Sequence, residues 1–593
     1  MRARRREAPS SSNRSGAFSV NTDIPERKPP RSGSKLPGRE ENALNTHATR
    51  LTAFFLVATV ALVAPAAQAQ VLVPDGSVDP ETIAAARRSG QQNVSSGRYE
   101  LTLDDAIERA LERNLDIAVQ RINPLVQDMA VVTANAAFLP LASSGFGLNQ
   151  STFPNRTLFD GGGLTGRSIV TDRGNYDVGI DQAVKWGGGQ YSVTWDSSRS
   201  ESTNIFNSFN PSYAANMSLT YTQPLLRGFR TDQRRTQLAV SRIGRDISDI
   251  DLEQTIINTL ADVQSRYWDL VYANASVAVQ EQALALAEQL VRDNQVRVEI
   301  GTLAPIDVVQ AESEAAARRQ ALAQAIQVLR TAELALKQLI VGGTSDELWS
   351  IGLFPIDEPQ VETSPIDLEE AVASALERRT DIERVRRQLD INDANVDNLR
   401  NSTLPALDVV GNYQLTGQGG PRLVRDNIFG GNVTTEIPGG YGDAVSSIAG
   451  NDYPFWSVAL QMSYPLGRSA DKAAYERARL QVQQTTAQIR QIELQIASEI
   501  TNAALQIDAI QGRIEAATAA RELAEEQLRA EESRFEVGLS TNFFVVQAQR
   551  DLATAQDNEL RAILDFQLAL IEFERAQRSS LGAAGVTVIG GGG

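Results

Sequence analysis

The 593-residue chain has no cysteine and a single histidine, His47. That histidine lies in an N-terminal stretch expected to be removed, so the exported chain has neither residue. This excludes a thiol nucleophile, a disulfide, a Cys/His zinc site and an imidazole base. Carboxylate, lysine and serine chemistry stays open, but no catalytic constellation of defined spacing emerges, and the chain does not read as an enzyme. A nucleotide-binding G-x-x-x-x-G-K-[ST] loop is also missing. Gly161-Gly162-Gly163 and Gly187-Gly188-Gly189 lack the following lysine and helix and read as loop glycines, so no cofactor is expected. Positive charge is scarce. Residues 1–69 carry eleven basic and five acidic groups, which leaves a net charge of −23 on the remainder. Such a chain repels nucleic acid. Beyond the N-terminal region no apolar run reaches the length of a membrane-spanning helix, so entry into a membrane would require a β-barrel.

What the N-terminus does have is an export signal. Leu51–Val63 is a 13-residue apolar run after Arg50 that ends in Ala67-Gln68-Ala69. As a helix it would span only about 20 Å, short of a bilayer core of about 30 Å. A basic flank, a short apolar core and an A-x-A site match a cleaved secretory signal. Residues 1–69 are therefore assigned to a disordered N-terminal extension and signal peptide, and 70–100 to a linker.

The rest of the chain is an internal repeat. Leu103-Asp104-Asp105-Ala106-Ile107 returns as Leu368-Glu369-Glu370-Ala371-Val372, and Ala110-Leu111-Glu112-Arg113 as Ala375-Leu376-Glu377-Arg378. Leu139-Pro140 returns as Leu404-Pro405, and Gln223-Pro224-Leu225 as Tyr464-Pro465-Leu466. Arg297-Val298-Glu299-Ile300-Gly301 returns as Arg534-Phe535-Glu536-Val537-Gly538. These matches in order define two copies, 101–341 and 366–578, joined by 342–365 and followed by a Gly-rich tail, 579–593.

Each copy reads as helix, β section, very long helix, turn, helix. Ile489, Ile492, Ile496, Ile500, Ala503, Ile507, Ile510 and Ile514 form a near-heptad seam, as do Ile256, Leu260, Val263, Tyr267 and Leu270. No proline falls between Pro224 and Pro305 or after Pro465. Helices from about Arg230 to Ile300 and from about Ala470 to Val537 would each be roughly 100 Å long. The β sections, about 141–223 and 405–464, alternate. Tyr176, Val178 and Ile180 face opposite to Asp177, Gly179 and Asp181, and Trp456, Val458, Leu460 and Met462 share one face. One apolar and one polar face suit a barrel in lipid; a soluble sandwich with one buried face gives the same pattern.

The duplicated L-[DE]-[DE]-A-[IV]…A-L-E-R pattern, Thr222-Gln223-Pro224-Leu225 with Ser463-Tyr464-Pro465-Leu466, and the two R-x-E-[IV]-G turns together resemble the TolC family of outer-membrane efflux channels over about residues 100–578. The resemblance implies an α+β membrane protein: a long antiparallel α-helical barrel joined to a transmembrane β-barrel, both shared by a homotrimer. It implies the outer membrane of a Gram-negative-type bacterium as location, with the helices reaching into the periplasm and outer-membrane lipid around the strands. Its implied partners are a periplasmic adaptor (membrane fusion) protein and an inner-membrane pump or ABC exporter. The implied function is a passive exit duct for tripartite efflux or type I secretion. A periplasmic helical adaptor or scaffold is the alternative.

The same resemblance makes the two helix-reversing turns the adaptor-docking tip, with Arg297, Gly301, Arg534 and Gly538 as docking positions. A favourable charge near a helix C-terminus explains the two arginines as well. It places the periplasmic gate just after the turns, at Asp307 and Gln310 in the first copy and at Phe544 and Gln547 in the second. The second copy departs from the family's acidic pattern, so a more apolar and less cation-selective tip is expected. Pairwise packing of Phe543-Phe544 is the other reading. Pro140 to Pro224 is 24 residues longer than Pro405 to Pro465, room for one extra hairpin turning at Trp186–Tyr191. That hairpin would make 18 barrel strands from three chains in place of the family's usual 12, or would fold outside the barrel.

Overall fold

The computed structural model describes residues 94–95, 98–157, 160–162, 167–361, 366–427, 431–467 and 469–578. The expected signal segment, most of the lead after it and the tail 579–593 lie outside the described residues.

Short polar side chains set where five of the helices begin. Thr102 accepts the Asp105 N–H and opens α1 (Leu103–Arg113); Asn114 accepts the N–H groups of Asp116 and Ile117 and opens α2 (Leu115–Ala136). In the second copy Asp367 opens α5 (Leu368–Arg378), and α6 (Thr380–Ser402) follows. The long helices are α3 (Gln233–Glu299), capped by Asp232, and α8 (Ala470–Glu536), capped by Ser469. Each has 67 residues, roughly 100 Å at 1.5 Å per residue. Their return helices are α4 (Pro305–Ile340) and α9 (Asn542–Gln577).

A helix that long is stable only if a partner covers its apolar seam. Ile256, Leu260, Val263, Tyr267 and Leu270 of α3 are buried against α1, α4 and α9. Ile496, Ile500, Ala503, Ile507 and Ile514 of α8 are buried with Ala371, Ala375 and Ile382 of α5 and α6 and with Ala562, Phe566, Ala569 and Phe573 of α9. Both seams predicted from spacing are therefore cores. Beside the first core, β1 (Val94–Ser95) and β2 (Arg98–Leu101) form a three-stranded sheet with β7 (Gly352–Pro355), parallel to β2. There the buried Tyr267 hydroxyl donates to Asp357 at 2.6 Å, and the same carboxylate accepts the Leu103 N–H at 2.7 Å. Burial, then the Asp357 carboxylate, push the Tyr267 phenol well above its ordinary pKa.

The β sections of the two copies make one antiparallel sheet. Its strands are β3 (Leu141–Phe153), β4 (Ile169–Ala183), β5 (Gln190–Ser202), β6 (Ser212–Pro224), β8 (Ala406–Gly419) and β11 (Pro454–Ser463), in the order β11-β8-β6-β5-β4-β3. The register decides what each face carries. Trp456 lies opposite Tyr413, Tyr413 opposite Leu219, Leu219 opposite Val193 and Val193 opposite Ile180. The other face carries Ser457, Asn412, Thr220, Ser192 and Asp181, also directly opposite one another. One face is thus apolar and aromatic, the other polar. On β11 the apolar side chains Trp456, Val458, Leu460 and Met462 are 66–71% exposed. Such a band is costly in water and suited to hydrocarbon.

Between β8 and β11 the chain adds a hairpin, β9 (Arg422–Arg425) with β10 (Val433–Ile437), and a helix, α7 (Tyr441–Ala449). The helix lies on the apolar face at the sheet end remote from α3 and α8, where Ala444 and Ile448 pack with Ala215, Trp195 and Leu415. A Cβ on Gly417 would run into the Ala444 carbonyl, and one on Gly419 into the Gly440 carbonyl. Glycine is needed at both for the helix to approach this closely.

Candidate functional site

At the other end, α3 and α8 stop in the same way. Gly301 has φ +76° and Gly538 φ +78°, conformations that glycine adopts freely. The Gly301 N–H donates to the Val298 carbonyl at 3.0 Å and the Thr302 N–H to that of Arg297 at 2.8 Å. In the second copy the Gly538 N–H donates to Phe535 at 3.2 Å and the Leu539 N–H to Arg534 at 2.8 Å. Each turn thus closes the last carbonyls of its helix and reverses the chain. A Cβ at either glycine would meet nothing within 4 Å, so the backbone angle alone selects the residue.

The two arginines occupy matching places yet do different things. The Arg297 guanidinium lies over the Phe535 ring, 4.5 Å from its centroid, and donates to the Phe535 carbonyl at 3.1 Å. It ties the first copy's turn to the second. Among the described residues, Arg534, 62% exposed, reaches only back to Glu531 at 2.7 Å. Glu531 also accepts from the Ser540 hydroxyl, and that bond, followed by Arg534, lowers its pKa.

Below the turns the copies are joined by a buried polar knot. The Asn294 amide donates to Asn542 at 2.9 Å, and the Asn542 amide donates to the Asp307 carbonyl at 3.2 Å. Around it Leu290, Ala311, Phe535, Val545 and Val546 form a small core. One turn further on, the Glu314 carboxylate has a side-chain exposure of 2% and joins Arg318 of its own helix to Arg550 of α9. Burial alone would raise the Glu314 pKa, but hydrogen bonds from Arg550 and Arg318 outweigh it and hold the group below its ordinary value. Sequence reasoning missed Asn294, Asn542 and Glu314. Glu314 with Arg318 at i+4 was a visible pair, but nothing in one copy's periodicity announces a partner 236 residues away.

Asp307 and Phe544 stand in the first turns of α4 and α9. Asp307 is half-buried; Phe544 is exposed and meets Phe543 edge-on at 5.6 Å. Gln310 and Gln547 are exposed, and Gln547 donates to Asp551 at 2.8 Å. All eight positions named from the sequence therefore lie at one end of the helices. Asp307 reaches the second copy through its backbone carbonyl.

The family model described as Outer membrane efflux protein matches residues 188–342 and 371–576. The chain belongs to this family. Among solved structures, the outer-membrane channel OprN superposes with a TM-score of 0.58 at 17% identity, covering 80% of this chain and 89% of that one. The CmeC outer membrane channel of Campylobacter jejuni gives 0.57 at 14%, covering 80% and 85%. The open state of the Neisseria gonorrhoeae MtrE channel gives 0.54 at 17%, covering 80% and 88%. These identities are low, so the superpositions establish the fold. Against curated protein sequences no relative matches. As an outer membrane efflux protein the chain is an exit duct spanning outer membrane and periplasm, and membership of this family implies trimeric assembly alongside pump components. Its sheet then lies in the outer membrane, and the turns at Gly301 and Gly538, one helix length away, lie in the periplasm.

Proposed function

We propose that three copies of this efflux protein form a passive duct that takes cargo from a periplasmic adaptor and an inner-membrane pump or ABC exporter and releases it outside the cell. The observation that carries this reading is the six-stranded sheet with one polar and one lipid-suited face, continuous with two 67-residue helices. A polar face on every strand needs water, so the sheet must curve around an aqueous lumen. With no nucleotide loop in the chain, transport energy comes from the partner pump.

The tip carrying Arg297, Gly301, Arg534 and Gly538 is the adaptor-docking end. Its exposed features are Arg534 and the turn backbones, while Arg297 serves docking indirectly by fixing the two turns relative to each other. Asp307, Gln310, Phe544 and Gln547 narrow the duct just inside. The test has two parts. Detergent-purified protein should have the mass of three chains, and deletion of its gene should make cells accumulate cargo that the intact gene restores to the medium. A chain that stays monomeric without detergent and leaves export unchanged on deletion would refute the proposal.

A further inference from the structure

Among the described residues, the sheet has two unpaired edges, β3 and β11. In lipid an open edge leaves backbone N–H and C=O groups without partners, so the sheet must close. Six strands per chain, not four, then enter the wall. We propose that β11 of one copy pairs antiparallel with β3 of the next to close an 18-stranded barrel, in the register that sets Phe146 opposite Leu460 and Leu148 opposite Val458. This rests on the trimeric reading above and adds to it the strand number and the interface.

The register follows from the pairing inside one chain. Moving along the ladder from Leu141, the residues directly opposite are Asp181, Ser192, Thr220, Asn412 and Ser457. Leu141 begins its strand at the helix end of the sheet. Ser457 lies six residues short of Ser463, where β11 reaches that same end. The ladder therefore climbs six residues over the five steps between strands, slightly more than one per step on average. A sixth step, onto the next copy, brings the climb to about seven.

Seven is forbidden. Side chains alternate faces, so an odd offset would turn Phe146 and Leu148 into the lumen and Ser143 and Asn149 into lipid. Of the even offsets on either side, eight carries the average climb across the seam, while six would add none at the last step. Eight per copy gives a shear of about 24 over 18 strands. With a rise of about 3.3 Å per residue and about 4.8 Å between strands, the strands tilt by about 43°, inside the usual range for such barrels. The apolar faces then continue across the seam. Ser144 meets Met462, Phe146 meets Leu460 and Leu148 meets Val458 outside, while Gly147 meets Ala459 and Asn149 meets Ser457 inside. At the same tilt such a barrel is about one and a half times as wide as one of twelve strands.

The absence of cysteine from the chain gives a clean test. Full-length protein carrying Gly147→Cys with Ala459→Cys is oxidised in outer-membrane vesicles and run on a denaturing, non-reducing gel. It is compared with Gly147→Cys paired with Ser457→Cys or with Gln461→Cys. Ser144→Cys with Met462→Cys, on the lipid face, reports the same register should the first pair fail to assemble. The 147/459 and 144/462 pairs should give covalent dimers and trimers at least fivefold above the other two. Strongest linkage at 457 or 461 would overturn the register. No linkage from any pair, in protein whose detergent mass equals three chains, would overturn the seam and leave the trimer standing. A mass of two chains would overturn eighteen strands, and a mass of one chain would remove the trimeric reading as well.

Discussion

Arg297 and Arg534 are the same residue at the same place in two copies of one unit, and their surroundings separate them. Arg297 has a ring beneath it and a carbonyl to donate to; Arg534 is mostly in water and holds only a neighbour on its own helix. Arg297→Ala should therefore lower stability by about 1–2 kcal/mol, through loss of the ring contact and the hydrogen bond. Arg534→Ala should cost less than about 0.5 kcal/mol, yet weaken binding of the cognate adaptor if the exposed arginine is the docking contact. Thermal unfolding and adaptor pull-down on both variants separate the two effects. Glu314 supplies the second prediction at this scale. Its folded pKa lies below its unfolded value, so its stabilisation is complete above about pH 4.5 and disappears as the pH falls through the lowered folded value. Glu314→Gln should destabilise the tip by about 1–3 kcal/mol at neutral pH. It should also flatten the fall in melting temperature between about pH 5 and 3, which melting curves of both proteins across that range would reveal. Little of this was legible in the sequence, where the arginines look equivalent and Glu314 shows only its i+4 pairing with Arg318.

At the scale of elements the sequence was far more informative, for a physical reason. A seam that repeats over about four to seven turns, or a strand that alternates over a dozen residues, averages away local exceptions. The seams at Ile256–Leu270 and Ile489–Ile514, the alternation around Tyr176 and Trp456, and the turn after β4 were all readable. The segment between β8 and β11 was not. Pro421, Gly430-Gly431 and Gly439-Gly440 break every period there, and α7 has only nine residues. The short sheet of β1, β2 and β7 escaped for the same reason, its strands having two to four residues. What betrays α7 is a pair of glycines, Gly417 and Gly419, on the otherwise apolar face of β8. Gly417→Val should therefore displace α7 without dissolving the sheet, because the clash is with a helix backbone that has no room to give. Hydrogen exchange should rise over residues 441–449 and stay unchanged in β6 and β8. Equal loss of protection in the strands would mean that α7 is part of the wall's own stability.

For the whole molecule the distribution of charge at the two ends decides how ions meet the duct. The strands present Asp177, Asp181, Asp196 and Asp408 on the polar face beside Arg173, so the barrel end carries a surplus of acid in each copy. The periplasmic end differs. Asp307 is half-buried beside the Asn294–Asn542 knot, and the matching position of the second copy is Phe544, exposed and in edge contact with Phe543. Tight block by a multivalent cation needs several carboxylates converging on one point of a narrow passage. In the gate proposed above, three phenylalanines would offer a cation only apolar edges and no ligand oxygen. Trivalent cations added from the periplasmic side should therefore leave single-channel conductance nearly unchanged at concentrations that would saturate a carboxylate ring. Phe544→Asp should create a block at low concentration, with the outer end unaffected. Tight block of the unaltered protein from the periplasmic side would show that Asp307, despite its half-buried position, turns its charge into the passage and governs it.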